Sequence, residues 1–98
     1  MELQRSEDQG DPLVSITIIS YNQAHYLEAC LESVLSQTYS NIEVIASDDC
    51  STDGSWELIQ RYQVRHPDKI KGFRNETNLG LIGNRDASIR RANGRFVA

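Results

Sequence analysis

Short apolar runs alternate along the chain with segments in which apolar residues recur every three or four positions. The runs Val14–Ile19 and Ile42–Ser47 are apolar or β-branched at most positions, which is typical of parallel strands buried on both faces. A weaker strand is predicted at Ile70–Arg74, where Gly72 interrupts the pattern, and the start of a fourth at Arg95–Ala98.

Three helices are predicted between these strands. The first spans Ala24–Ser36, where leucine and valine recur on one face. The second follows the capping candidates in Ser51–Ser55 and ends before Pro67, because the residue preceding a proline avoids the helical region. The third is predicted at Gly83–Ala92, with Gly94 ending it in the manner of a helix-terminating glycine.

The resulting order, strand-helix repeated three times and then a strand, predicts an α/β fold with a mostly parallel sheet and right-handed crossovers. Ligands of such sheets bind beyond the carboxyl ends of the strands. Two polar segments lie at such ends, since Ser20–Asn22 follows the first strand and Asp48–Asp49 follows the second. The sequence therefore predicts a ligand site at this edge.

Composition limits the class of protein. The chain has 98 residues, of which 39% are hydrophobic and 24% charged, with a formal net charge of −4; these values are ordinary for one soluble globular domain. The acidic balance argues against a nucleic-acid-binding protein, which normally has a basic face. No apolar stretch approaches the ~20 residues that span a bilayer, so no membrane segment is predicted.

The first twelve residues are polar and mostly acidic where charged. We expect residues 1–12 to be a disordered lead-in and residues 13–98 to be the folded part. The lead-in lacks the apolar run of a signal peptide. Cys30 and Cys50 lack the spacing of metal ligands, so we expect reduced thiols and a cytoplasmic location.

The acidic pair Asp48–Asp49 is the strongest local signal of a binding site. A carboxylate at a strand end can accept charge-assisted hydrogen bonds from a ligand N–H or from ribose hydroxyls. Alternatively, one aspartate caps the next helix and the other is solvated. Because Ser51–Ser55 already contains capping residues, the pattern favours a binding role for Asp49.

Further candidates lie beside the first strand and in the last helix. Tyr21 could stack on a base, which contributes ~1–3 kcal/mol, and Ser20 and Asn22 add a hydroxyl and an amide; alternatively, Tyr21 packs on a helix and Asn22 shapes the turn. Ile19 could contribute only its backbone. Arg85, near a helix amino terminus, suits a phosphate or an acidic ring edge.

The remaining arginines near the carboxyl-terminal end, Arg90, Arg91 and Arg95, are interpreted as a solvated face with no role. The sequence contains no Walker loop, no G-x-G-x-x-G, no G-x-S-x-G and no zinc-ligand spacing. We therefore assign no catalytic and no metal-binding residue within the chain.

Four segments in order, 14–22 (VSITIISYN), 31–39 (LESVLSQTY), 42–55 (IEVIASDDCSTDGS) and 78–85 (NLGLIGNR), closely resemble the family 2 inverting glycosyltransferases. The resemblance covers nearly all of residues 13–98. It implies the three-layer, Rossmann-like nucleotide-diphospho-sugar transferase (GT-A) fold, truncated at the fourth strand. The resemblance also implies that sugar is transferred with inversion from a nucleotide-diphosphate donor, expected to be a UDP-sugar, to a hydroxyl of a polysaccharide, lipid or protein glycan.

The resemblance also implies roles for individual residues. Ser20–Asn22 resembles the wall around the base, Asp49 the aspartate that accepts from the base, and Arg85 the arginine that closes the nucleotide pocket. The chain departs from the family pattern at Ile19, where proline is frequent, and at Gln23, where an acidic residue is frequent. Cys50 also replaces the usual glycine or asparagine.

The family's Asp-x-Asp metal motif and catalytic base are expected beyond Ala98. We therefore expect the full-length enzyme to use Mg²⁺ or Mn²⁺ and to work in the cytoplasm, with the inner face of the membrane as an alternative. The fragment itself is expected to recognise nucleotide without transferring sugar. We also expect it to dimerise through its carboxyl-terminal region or to be marginally stable, because unpaired strand edges and exposed apolar patches recruit other chains. Alternatively, Arg90, Arg91 and Arg95 keep the edge soluble and the chain monomeric.

Two other classes stay open. A receiver-like signalling module is also α/β with an acidic pair at a strand end, but that pair follows the first strand and an aspartate follows the third. In this chain the pair follows the second strand, and Ile70–Asn75 leads to no aspartate. The other class is a structural fragment that binds no ligand.

Overall fold

The computed structural model of the chain describes residues 12–37, 39–94 and 96–97, the last two by backbone only. The predicted lead-in, apart from Pro12, lies outside these residues. Strands and helices alternate throughout, as predicted. In chain order they are β1 (Val14–Ser20), α1 (Ala24–Leu35), β2 (Ile42–Asp48), α2 (Ser55–Arg65), β3 (Ile70–Arg74), α3 (Gly80–Arg91) and β4 (Phe96–Val97).

The four strands form one parallel sheet in the order β3-β2-β1-β4. The predicted position of β1 between β2 and β4 is therefore confirmed. The register of β1 and β2 runs from Val14 opposite Ile42 to Ser20 opposite Asp48, so both strands end at the same edge. The predicted dimerisation through the carboxyl-terminal region depends on side chains that lie outside the described residues.

The helices form two outer layers. Helices α1 and α2 contact each other and one face of the sheet, whereas α3 crosses β1 and β2 on the opposite face. Right-handed crossovers explain this arrangement, because the chain first moves from β1 outward to β3 and then returns across the sheet to β4. The three-layer α/β arrangement predicted from the sequence is confirmed.

The face under α1 and α2 carries the apolar core. Leu31, Val44 and Ile59 are fully buried there, because α1 and α2 each turn an apolar stripe toward a strand that is apolar at alternate positions. Tyr62 of α2 is buried in the same layer, and its hydroxyl donates to the Glu32 carboxylate of α1. That hydrogen bond and burial raise the pKa of Tyr62 to about 12.

The opposite face, under α3, is largely polar. The Ser47 and Ser88 hydroxyls lie 2.9 Å apart between β2 and α3, and Ser15 of β1 donates to Glu43 of β2 at 2.6 Å. Glu43 also accepts from the backbone and side chain of Asn93. Hydrogen bonds thus hold α3 on the sheet where apolar packing holds α1 and α2.

Two predictions about α3 were wrong. The helix begins at Gly80 rather than at Gly83, because a carboxylate distant in sequence caps its amino terminus, as described below. It also does not end in a left-handed glycine: Ala92 is extended (φ −74°, ψ 138°). Gly94 instead passes close to β1, where an added Cβ would lie 2.5 Å from Ser15 Oγ and 2.8 Å from the carbonyl oxygen of Leu13.

Candidate functional site

A cleft of about 380 Å³ opens at the carboxyl edge of the sheet. It lies between the ends of β1 and β2 and the amino-terminal turn of α3. Four of the residues that the sequence analysis selected lie in its wall, together with polar and apolar neighbours. The lining residues are Ile19, Ser20, Tyr21, Gln23, Asp49, Asn78, Gly80, Leu81 and Asn84.

Asp49 lies in the cleft with only 2% of its surface exposed. Its backbone N–H donates to the Ser20 carbonyl at 2.8 Å, which fixes it beside the end of β1. The carboxylate accepts three hydrogen bonds, from Leu79 N (2.7 Å) and Asn75 Nδ2 (3.0 Å) at Oδ1 and from Gly80 N (2.9 Å) at Oδ2. Asp49, which directly follows β2, therefore caps the amino terminus of α3, where a negative charge is favourable.

Asp48, the other member of the pair, turns away from the cleft and is fully buried. It accepts from the backbone and hydroxyl of Ser51 at 2.8 and 2.6 Å and from the Ser20 hydroxyl at 3.3 Å. Arg74 Nε lies 3.9 Å from the carboxylate. Asp48 therefore shapes the loop after β2, and of the two aspartates only Asp49 lines the cleft.

Tyr21 and Asn22 divide between the cleft and the loops. Tyr21 lines the cleft, and about half of its surface is exposed (49%). Asn22 has φ 51°, a left-handed conformation that asparagine tolerates. Its side chain accepts from Thr52 N, and its own N–H donates to Ser51 Oγ, both at 2.9 Å. Asn22 thus joins the loops after β1 and β2 and is not among the lining residues.

Asp53 makes the second connection between these loops. Its Oδ1 accepts from the backbone and hydroxyl of Ser55, at 3.0 and 2.6 Å, at the start of α2. Its Oδ2 accepts from Ala24 N at 3.1 Å, at the start of α1. The bond from the Ser55 hydroxyl is the main cause that lowers the pKa of the Asp53 carboxyl. One carboxylate thus caps two helices and holds the wall that carries Tyr21.

Arg85 lies outside this arrangement. It is exposed on α3, one turn beyond Leu81, and is not among the lining residues. Within residues 12–37, 39–94 and 96–97, no group of three or more His, Cys, Asp or Glu side chains could hold a metal. The described part of the chain thus does not fit the divalent metal that the resemblance implies for the full-length enzyme.

The family model described as "Glycosyl transferase family 2" matches residues 15–98. The chain belongs to glycosyl transferase family 2. Solved structures agree with this assignment. The mannosyltransferase PcManGT from Pyrobaculum calidifontis, in complex with GDP-Man and Mn²⁺, superposes with a TM-score of 0.80 and 28% identity over 88% of this chain and 26% of that one. Residues 1–349 of Staphylococcus aureus TarS give a TM-score of 0.76 and 32% identity over 86% and 25%.

Among curated family 2 relatives, one from Escherichia coli is named as the UDP-Glc:alpha-D-GlcNAc-diphosphoundecaprenol beta-1,3-glucosyltransferase WfaP. It is 41% identical over 88% of this chain and 33% of its own length. A Bacillus subtilis relative, TuaG, is named for teichuronic acid biosynthesis and is 40% identical over 89% of this chain and 34% of its length. The chain thus spans about a third of these relatives. No helix in the described part of this family 2 chain is long and apolar enough to cross a membrane.

Sequence reasoning missed the polar residues that connect α3 with the Asp49 site. Asn84, Ser88 and Arg91 follow one another at four and three residues on the face of α3 toward the sheet. Asn84 Nδ2 donates to the Ser47 carbonyl at 3.1 Å, and Arg91 donates to Ser47 Oγ at 3.0 Å. In this family 2 sequence, the polar residues at helical spacing were the signal that this face of α3 packs on the sheet through hydrogen bonds.

The prediction that Arg91 belongs to a solvated face was wrong. Its guanidinium lies 4.8 Å from the Phe73 ring centroid and reaches polar partners above the sheet. The preceding residue, Arg90, does lie at the surface, where its guanidinium forms a salt bridge with Asp86 at 2.8 Å. The position of Arg95 lies outside the described residues.

Proposed function

We propose that this family 2 chain binds the nucleotide of a nucleotide-sugar donor, with the base between Tyr21 and Asp49. The observation that carries the proposal is a buried carboxylate in the wall of a cleft that has both polar and apolar lining residues and an aromatic ring. An aromatic face suits a base, and stacking contributes about 1–3 kcal/mol per base. The Leu81 side chain, which also lines the cleft, supplies further apolar surface.

The acceptor capacity of Asp49 supports uracil as the base. An ionised carboxylate offers about four lone-pair sites, two on each oxygen. Leu79 N and Asn75 Nδ2 use both sites of Oδ1, and Gly80 N uses one site of Oδ2. Among the described residues, the hydrogen bonds to Asp49 leave one acceptor site, on Oδ2. Uracil presents a single N–H between two carbonyl groups, which matches one free site.

Guanine fits this arrangement less well. Its edge presents a ring N–H beside an amino group, and the usual pairing with a carboxylate needs a free site on each oxygen. Oδ1 of Asp49 has none left while Leu79 and Asn75 donate to it. The UDP-glucose named for the Escherichia coli relative supports uridine, whereas the Pyrobaculum neighbour carries GDP-Man. We therefore propose a UDP-sugar donor.

For the full-length enzyme we propose sugar transfer with inversion to an acceptor hydroxyl, in cytoplasmic cell-surface polysaccharide biosynthesis. Removal of the acceptor proton by a general base is the chemistry such a transfer needs, with a divalent metal at the diphosphate. Arg85, exposed one turn after Leu81, is proposed to meet the diphosphate when donor is bound. The described residues supply base recognition, so we expect no transfer by this chain alone.

The receiver-like alternative is disfavoured by the same contacts. A phosphorylated receiver needs an accessible acceptor aspartate after the third strand. Here β3 is followed by the buried amide Asn75, and Asp48 is fully buried behind the loop. Membership of family 2 points the same way.

Calorimetric titration of the 98-residue chain with UDP and with GDP tests the proposal. We expect UDP to bind more tightly than GDP. Asp49→Asn should weaken UDP binding by about tenfold, because an amide is a weaker acceptor and charge-assisted bonds are about twice as strong as neutral ones.

Asp68→Asn is the matched control. It removes the same charge from an exposed position in the loop before β3, at the opposite edge of the sheet, and should leave the UDP dissociation constant within twofold. Equal affinities for UDP and GDP would contradict the uridine assignment. An unchanged UDP affinity in Asp49→Asn would contradict the role of Asp49.

A further inference from the structure

Arg91 connects the carboxyl-terminal turn of α3 with the Asp49 site. Its Nη1 donates to Ser47 Oγ and its Nη2 to Asn75 Oδ1, each at 3.0 Å. The guanidinium stacks over the Phe73 ring at 4.8 Å, which holds its plane in place. A guanidinium carries only donors, so whatever it contacts must accept.

This contact determines how the Asn75 amide is oriented. Because Oδ1 accepts from Arg91, Nδ2 is left to donate. It donates to Asp49 Oδ1 (N···O 3.0 Å) and to Asn84 Oδ1 (N···O 2.9 Å). In the reversed orientation, the amide oxygen would face the Asp49 carboxylate and the amino group would face the guanidinium. Both contacts would be repulsive.

The same order continues into Asn84. Because its Oδ1 accepts from Asn75, its Nδ2 is left to donate, and it does so to the Ser47 carbonyl at 3.1 Å. No buried side-chain nitrogen or oxygen in the described part of the chain lacks a hydrogen-bond partner. Each amide in this network therefore has one satisfied orientation, which Arg91 reinforces together with the acceptors Asp49 and the Ser47 carbonyl.

We propose that Arg91 is a positioning residue for nucleotide recognition, which acts through the Asn75 amide to hold Asp49. The proposal rests on the nucleotide binding proposed above. Arg91 keeps Asn75 donating to Oδ1, so that the remaining acceptor site on Oδ2 is directed into the cleft. Without the guanidinium, Asn75 Oδ1 loses its charged donor. The amide is then held less firmly against Asp49, and its share in fixing the carboxylate beside Leu79 N and Gly80 N is weakened.

The first test is calorimetric titration of UDP into Arg91→Met and Arg91→Lys, with Arg90→Met as the control. Methionine keeps the apolar stem over Phe73 but makes no hydrogen bond, and we expect about tenfold weaker binding. Lysine keeps the charge without the planar fork that serves two acceptors, so its loss should be intermediate. Arg90 pairs only with the exposed Asp86 in the described structure, and its variant should bind within twofold of wild type.

A double-mutant cycle separates positioning from general destabilisation. If Arg91 acts through Asp49, Arg91→Met should change UDP affinity by no more than about twofold in an Asp49→Asn background, because coupled residues are non-additive. Fully additive losses would overturn the proposal, as would an unchanged affinity in a folded Arg91→Met. Should the methionine variant not fold, the lysine variant carries the same cycle.

A nucleotide-free readout keeps the two proposals distinguishable. Nitrogen-15 spectra resolve the Asn75 side-chain amide and the Leu79 and Gly80 backbone amides that donate to Asp49. Arg91→Met should shift all three, and Arg90→Met should shift none. If wild type binds neither UDP nor GDP, the proposed function fails while these shifts still decide the network. If wild type binds UDP and the three signals stay fixed in Arg91→Met, the role of Arg91 is wrong.

Discussion

Gly94 shows how a single residue is selected by its surroundings rather than by backbone conformation. Its position beside β1 leaves no room for a Cβ, which would lie 2.7 Å from Ser15 N and 2.8 Å from the Leu13 carbonyl oxygen. These are backbone atoms of a strand, so they cannot move aside as a side-chain end could. Its N–H also donates to Ser15 Oγ at 2.7 Å.

Gly94→Ala should therefore destabilise the chain by about 1–3 kcal/mol, the usual cost of forcing an extra carbon into a packed site. Gly54 is the control, since it has φ 96° and open space around its Cβ position. Asparagine tolerates a left-handed backbone better than alanine does, so Gly54→Asn should cost less than Gly54→Ala, whereas Gly94→Asn should cost at least as much as Gly94→Ala. Urea denaturation measures all four variants, and a Gly94→Asn variant more stable than Gly94→Ala would contradict the steric explanation.

Residue-scale prediction from sequence succeeded where the signal was local. Tyr21 and Asp49 follow parallel strands, and strand ends share an edge, so their common cleft could be expected from the order of the elements. Asn75 and Arg91 were not found, because their partners are 26 and 44 positions away. In the sequence, Arg91 differs from the solvent-exposed Arg90 only because it continues the helical spacing of Asn84 and Ser88.

At the scale of elements, two carboxylates of the loop after β2 fix the amino termini of all three described helices. Asp49 caps α3, and Asp53 contacts the first residues of both α1 and α2. This explains why the predicted start of α3 was three residues late. The N-cap residue itself provides no side-chain cap; the local signal is Asn78, whose side chain accepts from Gly80 N at 2.9 Å. The strands and α2, whose signals are periodicity and proline, were placed to within about one residue.

Asp53→Ala should destabilise the chain by about 1 kcal/mol at pH 7, the usual cost of losing a helix cap. Hydrogen bonds, first of all from the Ser55 hydroxyl, lower the pKa of Asp53 below its ordinary 3.8. The contribution of the charge is therefore complete above pH 3.8 and is lost as pH falls through the lower folded-state value. Urea denaturation at pH 7 and near pH 2.5 should show a smaller difference between wild type and variant in acid.

At the scale of the whole molecule, different interactions stabilise the two faces of the sheet. Burial of apolar side chains holds α1 and α2, and the alternation of strands and helices was enough to predict those layers. The face under α3 relies on buried hydrogen bonds, which require each polar group to have a partner. The sequence showed serines and asparagines there, but which of them pair depends on how the chain returns from β3 to β4.

The Glu43 carboxylate connects residues near the two ends of the described chain through hydrogen bonds. It is 3% exposed in β2 and binds Ser15 of β1 and Asn93 beyond α3. Burial opposes its charged form, but the hydrogen bonds from Ser15 and Asn93 outweigh burial and lower the pKa of the Glu43 carboxyl below 4.5. Its charge is thus more favourable in the folded state than in the unfolded state.

Because the folded-state pKa is the lower one, the stabilisation by Glu43 is present above about pH 4.5 and is lost as pH falls through the folded-state value. Glu43→Gln should destabilise the chain at pH 7 by about 1–3 kcal/mol, since the amide leaves one buried donor unsatisfied, and by less near pH 3. Glu76→Gln, at an exposed site, is the control and should change stability by less than about 0.5 kcal/mol. Chemical denaturation across pH 3–7 measures these differences. A Glu43→Gln deficit that stays constant across that range would show that packing, not charge, explains the buried glutamate.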